Sequence, residues 1–157
     1  MRVRDATASD LGPLLQLVAA LFAEDAGTRD PATDIDWPRT HGRSYYADLL
    51  DDEQALVLLA EHDTAVLGFL VGRLHEPNPL RPGVSPAELE SMFVDPSSRS
   101  SGMGRDLAEH FEKWAVRRGA TCTTVTAYAA NTSARRFYRA LGYADHKVVL
   151  ERPTQPT

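Results

Sequence analysis

Cysteine is almost absent from this 157-residue chain, which contains only Cys122. A single cysteine forms neither an internal disulfide nor a cysteine-rich metal site. The five histidines are scattered without metal-ligand spacing, so we predict no metal site. Long apolar runs are absent too, since the run at 55–60, ALVLLA, is far too short to span a bilayer. Because no secretory leader is recognisable, we predict a cytoplasmic protein without a membrane partner.

An excess of positive charge is absent too, since 22 acidic residues outnumber 17 basic ones and the formal net charge is −5. A protein whose main partner is nucleic acid carries a basic surface, so the charge argues against that class of partner. The acidity is local, because residues 24–53 hold nine acidic residues and three arginines. An acidic segment of this kind suits a cationic ligand.

Length and composition otherwise indicate an ordinary globular chain. Hydrophobic residues make up 43% and charged residues 25% of the sequence, which is close to the average of globular domains. A chain of this length buries a sizeable core without disulfides. No internal repeat or linker divides it, so we predict one domain over residues 1–152 and a frayed tail over 153–157.

Hydrophobic periodicity predicts a mixed α/β sheet with helices on both faces. Thr7 followed by Asp10 resembles a capping box, which predicts a helix start. Gly68 and Gly72 fall inside a predicted strand and indicate a bulge or a close backbone approach. The predicted strands are 1–5, 55–62, 65–75, 88–94, 121–128 and 143–152, and the predicted helices are one that follows Thr7 and those at 39–51, 106–118 and 131–141.

Residues 88–105, ELESMFVDPSSRSSGMGR, contain the most informative pattern of the chain, a strand followed by a glycine loop and a helix start. Period-2 alternation assigns the odd-numbered residues of 89–93 to one strand face and the even-numbered residues of 88–94 to the other. Glu88 and Glu90 should therefore share a face. Pro96 ends the strand because proline cannot donate to a ladder.

A polar loop with two glycines follows this strand and leads into a helix. Gly102 and Gly104 let the backbone turn tightly and approach a ligand without an intervening Cβ atom. From Asp106 the apolar residues recur at helical spacing. Unpaired N–H groups and the positive end of the helix dipole converge at such a helix start. The loop therefore predicts a site for a phosphate or pyrophosphate group.

Two common phosphate-binding motifs fit this loop poorly. The loop of nucleotide-hydrolysing enzymes ends in Gly-Lys-Ser/Thr, whereas Gly104 is followed by Arg105 and Asp106. The dinucleotide fingerprint needs three glycines after the first strand of its unit, and this mid-chain loop has two. Another phosphate-bearing ligand has to be considered.

Two motifs in this chain resemble those of the GNAT N-acetyltransferase superfamily. The pattern Val94-x-Pro96-x-x-Arg99-x-x-Gly102-x-Gly104 is similar to the acyl-coenzyme A loop of that family. The pattern Asn131-x-x-Ala134-x-x-Phe137-Tyr138-x-x-Leu141-Gly142-Tyr143 is similar to its second signature, with Tyr143 in the place of a phenylalanine. The resemblance extends from Val3 to about Leu150. It implies a mainly antiparallel central sheet in which the fourth and fifth strands splay apart.

The resemblance also implies acetyl-CoA as co-substrate, with its pantetheine arm between the splayed strands. Asn131 would point toward that arm or cap a helix, or do both, and Arg99 would add charge or face solvent. The implied coenzyme-binding residues are Met92, Phe93 and Val94 through their backbone, then Arg99, Ser100, Ser101, Gly102, Met103, Gly104 and Arg105, and finally Asn131 and Ala134.

Three catalytic roles follow from the same resemblance. An alkylamine with a pKa near ~10 needs a base or a water-mediated proton wire to remove its proton. Glu90 is preferred for that role and Glu88 is the alternative, although both carboxylates could simply bind the amine or face solvent. A backbone N–H near Met92 or Val94 would stabilise the oxyanion. Tyr138 matches the family's general acid, and a purely packed tyrosine is the competing interpretation.

In the family the first two helices and their loop form one side of the acceptor site. The resemblance therefore makes Trp37, Tyr45 and Tyr46 candidate substrate-binding residues. Aromatic and acidic groups together suit a cation, although the aromatics could simply pack beneath a solvated acidic loop. The resemblance thus implies an N-acetyltransferase whose acceptor is a small cationic amine, such as a polyamine, an aminoglycoside-like compound or an amino-acid derivative. The alternatives are a lysine or N-terminal protein acetyltransferase and a non-catalytic acyl-CoA sensor. A homodimer is possible.

Overall fold

The structure, a computed structural model, describes residues 1–156. Within them no helix is long and apolar enough to cross a membrane. Short helical turns at Ala8–Asp10, Pro38–Gly42 and Pro96–Ser98 accompany the main elements. In chain order these elements are β1 (Arg2–Asp5), α1 (Leu11–Glu24), α2 (Ala26–Arg29), α3 (Arg43–Asp51), β2 (Ala55–His62), β3 (Ala65–Leu74), β4 (Pro86–Val94), α4 (Met103–Arg117), β5 (Cys122–Val125) and α5 (Thr132–Ala140).

The five strands form one sheet in the order β1-β2-β3-β4-β5. The first four strands pair antiparallel with their neighbours, and β4 pairs with β5 in parallel. Hairpin connections allow antiparallel neighbours, whereas the return from β4 to β5 needs the crossover helix α4. The predicted mixed, mainly antiparallel sheet with helices on both faces is confirmed.

Each face of the sheet carries its own apolar core. On one face α1 and α3 pack through Leu14, Val18 and Leu49 onto Phe69 and Val71 of β3. On the other face the apolar stripe of α4 covers the sheet. This stripe and its strand contacts include Leu107, Phe111 and Trp114 against Leu58, Leu70 and Leu89. Buried apolar surface on both sides of the sheet is what holds these layers together.

The predicted capping box at the first helix is confirmed. The Asp10 carboxylate accepts a hydrogen bond from the Thr7 backbone N–H at 2.8 Å. The same carboxylate forms a two-point ion pair with Arg4 of β1, with N–O distances of 2.8 and 3.0 Å. The pKa of Asp10 is therefore held well below its usual range, chiefly by Arg4. This buried charge joins the start of α1 to the edge strand.

A β-bulge at Glu90 interrupts the ladder between β3 and β4. Gly72 pairs with Leu89 and Val71 pairs with Ser91, which leaves Glu90 between them without a direct partner. The close approach predicted at Gly72 is also present. A Cβ added there would lie 2.7 Å from a ring carbon of Phe111. The ladder between β2 and β3 is irregular beside Gly68 as well.

The bulge makes the predicted faces of β4 wrong. Leu89 packs into the core beneath α4, whereas Phe93 packs into the core beneath α1 and α3. Ser91 lies opposite Val71 and so shares the face of Phe93. Met92 and Val94 turn to the α4 side, away from the carboxylates. One extra residue shifts the period-2 alternation by one position, which moves every later side chain to the other face.

The splay of β4 and β5 is visible in their pairing. β4 and β5 are in register only from Pro86 opposite Cys122 to Leu89 opposite Val125. β4 continues to Val94, while β5 ends at Val125. The edge of β4 over residues 90–94 therefore borders a gap that opens toward the loop before α4.

The prediction of a last strand at 143–152 is wrong, because that segment is neither helix nor strand. Val148, Val149 and Leu150 are 79–89% exposed. An alternating apolar pattern gives strand propensity, but a strand also needs a neighbouring edge with which to pair. The predicted strand 121–128 is shortened to Cys122–Val125 for the same reason. Of the predicted frayed tail, Thr157 lies outside the described residues.

Candidate active site

The loop before α4 has the form of an anion site. Gly102 has a φ of +91° and caps the helix in the left-handed conformation, which favours glycine. The first helical hydrogen bond runs from the Asp106 N–H to the Gly102 carbonyl oxygen at 3.0 Å. The N–H groups of Met103, Gly104 and Arg105 precede that bond and point out of the helix end. Together with the helix dipole they form a donor set suited to a pyrophosphate.

The remaining loop residues shape this helix start. Ser100 has a φ of +66°, and the Ser101 hydroxyl donates to the Ser98 carbonyl oxygen at 2.6 Å. The side chain of Met103 is buried beneath the loop, so its backbone alone faces a ligand. Gly104 lies against α5, where a Cβ would be 3.3 Å from a ring carbon of Phe137. Arg105 is exposed.

The Arg99 guanidinium uses three of its five N–H groups within the protein. It forms a two-point ion pair with Glu24 at the end of α1, with both N–O distances at 2.7 Å. Its Nε donates to the Val94 carbonyl oxygen at 2.9 Å, and it lies 5.3 Å from the centre of the Phe93 ring. The predicted charged contact of Arg99 with a pyrophosphate would therefore compete with Glu24.

Asn131 caps α5, as one of its two predicted roles requires. Its Oδ1 accepts a hydrogen bond from the Ala134 backbone N–H at 3.1 Å. Its Nδ2 donates to Asp25 Oδ1 at 3.3 Å. The end of α1 thus contacts the loop through Glu24 and α5 through Asp25, on both sides of the gap between the strands.

A cavity of about 470 Å³ lies beside the bulge on the α1 and α3 side of the sheet. Its aromatic wall is continuous, because Phe22 stacks on Trp37 at 5.6 Å and Trp37 meets Tyr45 edge-on at 5.3 Å. The structure brings all three predicted substrate-site aromatics together here with Glu90. The cavity is lined by Phe22, Thr33, Asp34, Trp37, Tyr45, Tyr46, Glu90 and Ser91.

The two candidate carboxylates have different surroundings. Glu90 is held from both sides, by the Tyr45 hydroxyl at 2.9 Å and by Arg73 Nε at 3.2 Å. Glu88 is paired instead with His75, at 3.0 Å between Oε1 and Nε2. Glu88 is not among the residues that line the cavity. The prediction that the two share a face stands, but only Glu90 reaches the aromatic wall.

The hydroxyls around Glu90 are held in their neutral form. Burial and the nearby Glu90 charge raise the pKa of Tyr45, and Arg73 opposes that shift. Burial and the Glu90 charge also raise the pKa of Tyr46. Both phenols therefore stay protonated throughout the neutral range, and Tyr45 donates its O–H to Glu90.

Tyr138 lies among aromatic side chains on the other side of the gap. Its ring meets Phe137 at 5.3 Å and Tyr143 at 5.8 Å, both edge-on. Burial raises the pKa of Tyr138 well above the ordinary tyrosine value, with smaller contributions from Tyr143 and Asp25. The phenol therefore stays protonated at neutral pH, as a proton donor must.

Sequence reasoning missed several residues of this site. Arg73 is separated from Glu90 by 17 positions, and His75 by 13 from Glu88, so pairing across β3 and β4 is what joins them. Ser91 was assigned to the opposite face from Glu90. Gly72 carried a usable signal, because a glycine within a strand indicates the bulge that brings Glu90 and Ser91 together. Within residues 1–156 no group of three potential metal ligands is found.

Comparison with known proteins provides a separate line of support. The profile of the acetyltransferase (GNAT) family matches residues 19–143. Mycothiol acetyltransferase from Amycolatopsis mediterranei is 30% identical over 135 residues, which cover 82% of this chain and 45% of that protein. The chain thus spans less than half the length of this curated relative.

Solved structures share the fold at low sequence identity. A mutant of the BH1408 protein from Bacillus halodurans matches with a TM-score of 0.89 at 21% identity, over 99% of this chain and 100% of that one. An aminoglycoside antibiotic 6'-N-acetyltransferase from Acinetobacter haemolyticus matches with a TM-score of 0.78 at 22% identity, over 100% of both chains. An aminoglycoside N-acetyltransferase in complex with CoA gives 0.75 at 18% identity, over 98% and 100%.

Proposed function

Because the chain belongs to the GNAT acetyltransferase family, whose members use acetyl-CoA, we propose that it acetylates a small cationic amine by direct attack in a ternary complex. The carrying observation is the cavity at the bulge, where aromatic rings adjoin the carboxylates of Glu90 and Asp34. Aromatic faces and carboxylates both attract cations. The cavity also adjoins residues 90–94, where β4 borders the gap suited to a pantetheine arm.

Polyamines, aminoglycoside-like compounds and amino-acid derivatives share the primary amine that this chemistry requires. Relatives named for aminoglycosides and for mycothiol support a small-molecule acceptor. The α1–α3 wall supports the same conclusion, because Phe22, Trp37 and Tyr45 enclose one side of the cavity. A peptide acceptor would need an open groove across that side.

Two different residues carry out the two proton transfers of the proposed reaction. Acetyl-CoA supplies the acetyl group as a thioester, whose C–S bond breaks as the amine nitrogen forms the new C–N bond. Glu90 takes the proton that the amine nitrogen loses. A backbone N–H of β4 near Met92 or Val94 donates to the oxygen on which charge develops. Tyr138 gives its proton to the departing sulfur, so the products are the amide and the free thiol.

The most direct test is transfer to an amine panel, measured by thiol release. The panel contains polyamines, aminoglycosides and amino-acid derivatives beside lysine peptides and peptides with a free N-terminus. We expect turnover with small cationic amines and little with peptides. Turnover with peptides alone would favour a protein acetyltransferase. Acetyl-CoA binding in calorimetry without thiol release from any amine would favour a non-catalytic sensor.

Glu90 and Glu88 can be separated by matched substitutions. Glu90→Gln keeps the size of the side chain and an oxygen for Arg73, but it cannot accept a proton. We expect kcat/KM to fall about a hundredfold or more, as for loss of a general base. Glu88→Gln, the control on the same strand, should change kcat/KM only a few-fold. The reverse order of effects would assign the base to Glu88.

We also propose a homodimer in which residues 146–150 of one copy pair with the outer edge of β5 in another. β5 is the last strand of the sheet, and the exposed Val148, Val149 and Leu150 lie in a segment without pairing of its own. An open edge and an unpaired apolar strand former complement each other. Light scattering should give twice the 17.3 kDa chain mass. Val148→Asp with Leu150→Asp should give the monomer, and a monomeric wild-type protein would contradict the proposal.

Residues 1–152 are proposed to act as one catalytic unit in the cytoplasm. The β4–α4 loop, α5 and the end of α1 contact one another across the gap, which supports a single unit. The one cysteine, which is free, is consistent with a reducing compartment. Limited proteolysis should remove only the tail beyond Arg152, and an early cut inside the sheet would contradict this boundary.

A further inference from the structure

Arg73 of β3 fixes the carboxylate of Glu90 together with Tyr45. Arg73 Nε donates to Glu90 Oε1 at 3.2 Å, and Arg73 Nη2 donates to the Tyr45 hydroxyl at 3.2 Å. The Tyr45 hydroxyl in turn donates to Glu90 Oε2 at 2.9 Å. A closed ring of three side chains therefore holds both carboxylate oxygens. Because a carboxylate has about four acceptor sites, the fixed group can still take a proton.

Asp52, which follows α3, shares the same guanidinium. Its Oδ2 accepts a hydrogen bond from Arg73 Nη1 at 3.4 Å, and its Oδ1 accepts one from the Gln54 backbone N–H at 2.8 Å. The side chains of Arg73 and Glu90 are each 25% exposed, so water screens their charges only in part. One cation thus lies between two carboxylates, which leaves one excess negative charge on the three groups.

The other groups that face Glu90 do not change this charge arrangement. Phe22 of α1 adds only an apolar ring to the cavity. Burial raises the pKa of both neighbouring tyrosines, so these phenols stay neutral below about pH 9. The charged and titratable groups around Glu90 are Arg73 of β3, Glu88 of β4, Tyr45 and Tyr46 of α3, Asp34 of the cavity wall and Asp52.

We propose that Arg73 is a positioning residue for Glu90 and that Asp52 keeps Glu90 basic by sharing Arg73. This role rests on the proposed function. A cation held against a carboxylate orients it, but it also favours the charged form and so weakens the carboxylate as a base. A second carboxylate on the same cation opposes that weakening. Arg73 thus supplies the orientation, and Asp52 restores the affinity of Glu90 for the proton of the amine.

Substitutions of Arg73 and Asp52 should move the pH dependence of kcat in opposite directions. The base acts only when it is ionised, so kcat falls toward acidic pH, and this acid limb reports the base in the substrate complex. Arg73→Met removes the cation that favours ionisation, so the limb should move up by about one pH unit or more. Asp52→Asn removes the competing carboxylate, so the limb should move down by about half a pH unit.

The conservative variant of Arg73 separates charge from orientation. Arg73→Lys keeps the positive charge but loses the planar fork that contacts Glu90 and Tyr45 together. We expect the acid limb of Arg73→Lys to stay near that of wild type. Its kcat should fall about tenfold or more, because a displaced base attacks the proton from a poorer position. KM for acetyl-CoA should be unchanged in all three variants.

The experiment measures kcat at saturating amine from about pH 5 to pH 9, together with KM for acetyl-CoA and the melting temperature. Asp51→Asn is the matched control for Asp52→Asn. Asp51 is the exposed preceding residue of α3, so this variant removes the same charge and should keep the wild-type limb.

Each outcome decides for or against the role of Arg73 and Asp52. Opposite shifts of the acid limb in Arg73→Met and Asp52→Asn would support it. Unchanged limbs, or shifts in the same direction, would overturn it and leave the proposed function intact. Lowered melting temperatures with a parallel loss of coenzyme affinity in Arg73→Lys and Asp52→Asn would show a structural role and overturn it too. Absence of turnover by the wild type with every amine would overturn both proposals.

Discussion

Gly102→Val is expected to weaken acetyl-CoA binding by at least about a hundredfold. The φ of +91° at this position is costly for a β-branched residue, by about 1–2 kcal/mol. Relaxing that strain rotates the N–H groups of Met103 and Gly104 away from the phosphate position. Hydrogen bonds to a charged group contribute about 1.5–3 kcal/mol each. Together these losses are enough to remove binding from the range of ordinary calorimetry.

Gly119 provides the matched control for this variant. It follows the other end of α4 with a φ of +83°, and an added Cβ at either glycine would meet no atom within 4 Å. Gly119→Val should therefore cost similar stability while leaving acetyl-CoA affinity unchanged. Equal binding by Gly102→Val and wild type would overturn the assignment of the loop. Equal losses in both variants would trace the effect to stability rather than to the anion site.

Tyr138→Phe is expected to lower kcat about a hundredfold or more while barely changing acetyl-CoA affinity. The substitution keeps the ring that packs on Phe137 and Tyr143 and removes only the proton donor. Tyr143→Phe is the matched control, because it removes a neighbouring hydroxyl, which interacts with Thr123 of β5, and keeps the ring; we expect its kcat to equal that of wild type. An unchanged kcat in Tyr138→Phe would remove Tyr138 as the acid.

The pH dependence of kcat offers a second measurement on Tyr138. An acid must be protonated to act, so its contribution is lost as the pH rises through its pKa. Burial raises the pKa of Tyr138 above the ordinary value of 10.0. The wild-type kcat should therefore show no falling limb up to about pH 9. A falling limb in the neutral range that is absent from Tyr138→Phe would contradict the raised pKa.

The alternation of side chains along β4 could be predicted from the sequence before the bulge at Glu90 but not after it. Alternation placed Glu88 and Glu90 on one face correctly, because both precede the point where the register shifts. It failed for the residues that follow that point, namely Ser91, Met92, Phe93 and Val94. A bulge is a property of two paired strands, since here it appears only in the register between Gly72–Leu89 and Val71–Ser91.

Polar contacts between distant parts of the chain could not be predicted from the sequence either. Arg99 and Glu24 are 75 positions apart, and Asn131 and Asp25 are 106 apart. Taken singly, each of these residues has the sequence pattern of an ordinary polar residue in a loop or at a helix end. Only the packing of α1 against the opening between β4 and β5 brings these groups together.

The sequence by itself determined the order of the main elements from β1 to α5 except for the short helix α2, together with the glycine turn before α4 and the helix start that follows it. These features depend on local chemistry, namely the spacing of apolar residues, the conformational freedom of glycine and the orphan N–H groups of a helix end. The tertiary structure alone decided the bulge, the pairing of Glu90 with Arg73 and Tyr45, the face of β4 on which Ser91 lies and the irregular conformation of residues 143–152. Those features depend on which edges and faces meet, and no local pattern encodes a partner that lies elsewhere in the chain.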